Sequence, residues 1–176
     1  MIDHRLRAAV GALLILAAAA AGYGQIKLGY LNSQEVLEKS VEGKKILARL
    51  QEADRQNQAA IVKLDEEIRT LQTKLSTQRI TLSEEAAAKN AADLDRRTTE
   101  RKRKAEDAYA DMNELRDRLF KTLQEELIAV VTQIGKEKGY DFIFDLGKSG
   151  AVYWNAALDI TAEVIRRYDA SKPPAK

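Results

Sequence analysis

Hydrophobic positions along the chain change period more than once. From Ile26 to Leu31 they alternate at period two, which puts Ile26, Leu28 and Tyr30 on one face of a short strand that needs a distant partner. Asn32 or Ser33 can then cap a helix with Glu35 in its first turn, covering Val36 and Leu37 and pausing at Ser40–Gly43. From Lys44 the spacing becomes three and four, with Ile46, Leu50, Ala53, Ala60, Leu64, Ile68, Leu71 and Leu75 on one stripe and Asn57 at its one polar step. No Pro or Gly interrupts Lys44 to Leu82. At 1.5 Å per residue, Lys44 to Leu75 predicts a helix of about 45 Å.

Helix propensity falls from Ser76 to Leu82, and Ser83 followed by Glu84 and Glu85 reads as a fresh N-cap, so a reversal is expected at about 76–83. The returning helix should run from Glu84 to about Lys138 and stop at Gly139, a C-cap residue. Its stripe is clear from Ala105 through Ala108, Met112, Leu115, Leu119, Leu123, Leu127, Val130, Val131 and Ile134, and poor before that. Tyr140 to Leu146 alternate again, Gly147 to Gly150 supply a turn, and Ala151 to Trp154 read as a further strand. Asp159 should cap a last amphipathic helix carrying Ile160, Val164, Ile165 and Tyr168, ahead of a disordered tail at 171–176.

This pattern gives an α+β chain, mostly helical. A long antiparallel hairpin (44–138) projects from a small β-rich body built from residues 25–43 and 139–170. Three short strands leave Phe142, Phe144, Tyr153 and Trp154 poorly covered, which argues that copies of the chain complete the body.

The first residues add location. Arg5 and Arg7 precede an apolar run from Ala8 to Ala21, shorter than the roughly 20 residues of a membrane span, and small residues at Ala20, Gly22 and Gly24 suit a signal peptidase. Residues 1–24 therefore read as a cleaved signal peptide, and the mature chain would work in the periplasm without ATP.

Composition removes several chemistries. The chain has no Cys, and its one His, His4, lies in the signal segment. Thiol nucleophiles, His or Cys metal sites and a Ser-His-Asp triad therefore have no residues to stand on, and no cofactor is expected. The acidic pairs Glu66–Glu67, Glu84–Glu85 and Glu125–Glu126 fit solvated helix faces.

With 29 basic and 27 acidic residues the net charge is +2, which does not favour nucleic acid as a partner. Between Asp93 and Asp107 eleven of fifteen residues are charged, six of them basic, including Arg96, Arg97 and Arg101. The run reads first as a solvated helix neutralised by its own acids. Its functional reading is a patch for acidic clients or anionic lipid headgroups. Ile80 and Leu82, apolar at the hairpin tip, would either touch clients or tie the loop down. Ile80, Leu82, Arg96, Arg97 and Arg101 are the candidate client contacts.

Taken in order, Ile26-Lys-Leu-Gly-Tyr-Leu-Asn-Ser-Gln-Glu-Val-Leu37, Ser40-Val-Glu-Gly-Lys-Lys45, Lys136-Glu-Lys-Gly-Tyr-Asp141 and Ala157-Leu-Asp-Ile-Thr-Ala-Glu-Val-Ile165, around a Pro-free hairpin, resemble the Skp/OmpH family of periplasmic chaperones. The resemblance implies a homotrimer with a β-barrel body and three tentacle-like hairpins around a cavity that holds unfolded outer-membrane β-barrel proteins. By matching position, Ile26, Leu28, Tyr30, Phe142, Phe144, Val152 and Trp154 would belong to that body. The best-known members are strongly basic, and this chain is near neutral. The alternative within the same architecture is a periplasmic coiled-coil scaffold or adaptor that holds no client. An efflux-type adaptor would need larger β-rich domains on both sides of its hairpin.

Overall fold

A computed structural model describes residues 26–78 and 81–172. The expected signal segment, Ile80 and the end of the tail lie outside these residues. The described elements are β1 (Leu28–Leu31), α1 (Ser33–Lys39), α2 (Val41–Thr77), α3 (Glu84–Lys138), β2 (Phe142–Asp145), α4 (Leu146–Ser149), a 3-10 turn (Ala156–Leu158) and α5 (Thr161–Ala170).

Helix ends follow local chemistry. The Asn32 side chain accepts from the amides of Gln34 and Glu35, Ser40 from Gly43 N and Ser83 from Ala86 N, while Gly139 stops α3 in the left-handed conformation at φ 66°. The break between α1 and α2 is confined to Ser40, so the long helix starts at Val41, three residues before the expected Lys44. There the backbone of α2 meets that of α1. A Cβ added to Gly43 would sit 2.1 Å from the Leu37 carbonyl oxygen.

β1 and β2 pair in parallel, with Leu28 opposite Phe142 and Tyr30 opposite Phe144. The whole hairpin is thus the crossover between two parallel neighbours. Ladder and side-chain bonds lock the two ends of the chain together. Lys27 N donates to Asp141 Oδ2 at 2.7 Å, Asn32 N to Thr161 Oγ1 at 2.9 Å and Ile160 N to the Tyr30 carbonyl at 2.9 Å.

One apolar core lies where β1, α1 and α5 meet the roots of the hairpin: Leu31, Val36 and Leu37, then Ile46, Leu123, Leu127 and Ile134, then Ile160, Val164 and Tyr168. Each α2 stripe residue from Ile46 to Leu75 is buried or half-buried, as is each α3 stripe residue from Ala105 to Ile134.

Two expected elements are absent among the described residues. Ala151–Trp154 is not a strand, because no neighbouring strand in the chain offers it a ladder, and Val152 is 98% exposed. Gly147–Gly150 is not a hairpin turn either; Leu146–Ser149 form a single helical turn capped by Asp145, whose Oδ1 accepts from Gly147 N. Of the expected tail, Lys172 is held in place, its Nζ 2.5 Å from Glu126 Oε1 and 5.0 Å from the centre of the Tyr168 ring.

The junction of α5 with α3 is acidic and basic in alternation. Glu163 takes Lys138 and Arg167, Glu137 takes Arg167, and Glu126 accepts from the Tyr168 hydroxyl at 2.6 Å. The Lys138 bond, then Arg167, holds the Glu163 carboxyl below the usual carboxylate range, and Arg167 does the same for Glu137. For Glu126, burial acts in the opposite direction and is outweighed by the bonds from Lys172 and Tyr168.

Lowered folded-state values stabilise the fold above the unfolded value of roughly 4.3. That contribution is lost as pH falls through the folded values. The melting temperature should therefore decline below about pH 4, and Glu163→Gln should flatten the decline; an unchanged acid limb would exclude Glu163 from it.

Candidate oligomerisation face and hairpin surface

The outer side of the β1–β2 pair is built by strand alternation. Ile143 turns inward against the core, and Phe142 and Phe144 turn outward, their rings stacked with centroids 6.1 Å apart. Phe142 is 57% and Phe144 47% exposed, and Ile26, Leu28, Val152, Tyr153 and Trp154 are exposed as well. Tyr30 differs from the other expected body residues, being only 6% exposed. Its ring meets Trp154 edge-on at 6.2 Å, and its backbone bridges to Asp159. Tyr30 is therefore part of the chain's own interior, while the other six residues expected in an assembled body remain uncovered in the single chain. A concentration of large apolar side chains of this kind marks an interaction surface.

On the opposite side of β2, α1 and α3 border an open groove lined by Leu37, Leu127, Val131 and Ile143, with Phe120 and Ile128 exposed along it. Phe120 and Ile128 fall off the stripe that packs against α2, so the stripe alone does not reveal them. Their spacing of eight, two helical turns, was the available signal.

Farther out, the arginines are placed differently from the sequence reading. Arg96 pairs with Asp93 on its own helix at 2.9 Å. Arg101 Nε, by contrast, reaches across to Asp65 Oδ1 at 3.0 Å. Arg97 Nε lies 3.0 Å from Glu67 Oε2, close enough for an ion pair but misaligned for a hydrogen bond, and Arg97 also binds Glu100 on its own helix at 2.7 Å. Neutralisation is therefore shared between the acids of α3 itself, to which the sequence largely points, and those of α2. Both guanidinium groups have their pKa raised further, Arg97 by Glu100 first and then Glu67, Arg101 by Asp65. Leu82 is half-buried beside the turn.

Among the described residues no cluster of His, Cys, Asp or Glu could hold a metal ion, and no helix is long and apolar enough to cross a membrane.

The family model for outer membrane protein (OmpH-like) matches residues 27–168, most of the chain. The chain belongs to the OmpH-like family. A crystal structure from Caulobacter crescentus CB15, described as a candidate outer membrane chaperone (OmpH-like), is similar to this OmpH-like chain with a TM-score of 0.74 at 19% identity, covering 88% of this chain and 90% of that one. At that identity the likeness concerns the fold alone. A comparison with curated proteins returns no match.

Proposed function

We propose that this OmpH-like chain is an ATP-independent periplasmic holdase that assembles as a homotrimer and keeps unfolded outer-membrane β-barrel proteins from aggregating between its hairpins. The observation that carries the reading is the uncovered aromatic face of the β1–β2 pair, set at the root of a long hairpin. Such a body is completed by copies of itself, and the copies then project several hairpins around one space. Family membership and the chaperone description of the Caulobacter relative support the same reading. Export to the periplasm rests on the sequence of residues 1–24.

Unfolded barrel strands expose alternating apolar side chains. A cage offering many weak contacts holds them in solution without imposing one shape, and releases them when the barrel folds into lipid. The test is native mass spectrometry of the exported chain, alone and mixed with an outer-membrane β-barrel protein diluted from denaturant. A trimer that gains one client is expected. A trimer that ignores the client would move the function to a scaffold or adaptor, and a monomer would remove the cage.

With a net charge of +2, electrostatic capture is weak. Client affinity should change by no more than about tenfold between 50 and 500 mM salt. A loss of several orders of magnitude in a titration would contradict it.

A further inference from the structure

The seam between α2 and α3 changes character along its length. Near the body both sides are apolar, with Ile46 and Leu123 buried. In the distal part α2 keeps an apolar row, Leu64, Ile68, Leu71 and Leu75, while the half-buried α3 positions are mostly polar, Asn90, Arg97, Arg101 and Lys104, with Leu94 the one large apolar side chain among them. The Asp65–Arg101 and Glu67–Arg97 pairs set the register, so Leu64 is buried level with arginines. Arginine stems cover apolar surface while their heads reach acids at its edge. Separation of the helices would uncover that row and free Asp65 and Glu67 from the guanidinium groups of α3. Partly exposed ion pairs are weak, so this part of the hairpin opens more readily than its root.

We infer that the Arg97 and Arg101 pairs are a clasp over a hidden binding surface, the Leu64–Leu75 row of α2. Its occupant is an extended segment of unfolded polypeptide whose apolar side chains alternate with Lys or Arg. Charge complementarity selects this occupant, because it supplies to Asp65 and Glu67 the cations that α3 withdraws and to the leucines the apolar cover that the arginine stems give. This rests on the holdase reading and names the segment chemistry that the distal hairpin would take.

The experiment uses the full exported chain and two synthetic peptides, one alternating Leu with Lys and one alternating Leu with Glu. In the Arg97→Ser/Arg101→Ser variant, amide hydrogen exchange across 61–75 should accelerate about tenfold with the body unchanged. Affinity for the Leu/Lys peptide should rise about tenfold, with little change for the Leu/Glu peptide. Arg97→Lys/Arg101→Lys keeps both cations and should behave as the parent chain. Adding Ile68→Ser and Leu71→Ser to the opened variant should remove the gain while exchange stays fast.

Unchanged exchange would overturn the clasp. Fast exchange without tighter peptide binding, equal gains for both peptides, or a gain that survives the serine substitutions would overturn the hidden surface. Failure of the unsubstituted chain to keep any barrel protein soluble would instead remove the holdase reading, and this inference with it.

Discussion

Replacing Gly43 by alanine is expected to lower the stability of the body by about 1–3 kcal/mol, the range for forcing extra volume into a fully packed site. Intrinsic propensity argues the other way, since Gly inside a helix is worse than Ala by roughly 0.5–1 kcal/mol. Packing decides the sign. The added Cβ would lie 2.1 Å from the Leu37 carbonyl oxygen and 2.6 Å from the Leu37 carbonyl carbon, and both are backbone atoms that cannot rotate away. Relief requires α1 to move off α2, and α1 carries Val36 and Leu37 into the core, so the displacement spreads to Ile134 and Val164. It also strains the Ser40 cap, whose hydroxyl accepts from Gly43 N at 3.0 Å. A fall in melting temperature of about 3–9 °C corresponds to this loss for a chain of this size. A rise of one or two degrees in calorimetry would mean that propensity, not the close approach, governs this position.

Much of this architecture was legible in the order of residues, because the decisive forces there are local. The stripe from Ile46 to Leu75 faces one way since 3.6-residue periodicity alone fixes which side chains share a helix face. Ser83 and Gly139 end their helices through bonds and dihedrals that span only a few residues.

What escaped the sequence depends on neighbours far along the chain. Ala151–Trp154 has a strand's composition, but a strand exists only where another backbone supplies its hydrogen bonds, and none does so within this chain. Arg97 and Arg101 have the local sequence of a single solvated helix, with acids of α3 on either side of them. Their partners Glu67 and Asp65 lie 30 and 36 residues earlier in the chain, brought into register by the turn between α2 and α3. The buried place of Tyr30 likewise follows from Trp154 folding back over it, a contact between the two ends of the sequence.

The proposed trimer is expected to fall apart when Phe142 and Phe144 are both replaced by alanine, and Phe144→Ala alone should weaken it strongly. Complete burial of a Phe side chain is worth roughly 1.5–3 kcal/mol. Phe144 is 47% exposed in the single chain, so association has about 1 kcal/mol per ring left to gain, and Phe142, at 57%, has slightly more. A symmetric trimer repeats each substitution three times, which makes the double variant cost about 6–8 kcal/mol per assembly and shifts a micromolar equilibrium to monomer.

The chain's own fold should survive, because both rings point away from the core that Ile143 joins. Trp154→Ala should also release the subunits but at the expense of the fold, since its ring covers Tyr30. The two phenylalanines therefore separate assembly from folding, and Trp154 does not. Light scattering should report a molar mass reduced to one third for the double variant, with helical circular dichroism retained. An unchanged mass would show that the aromatic face is not what joins the copies, and the cage reading would lose its support.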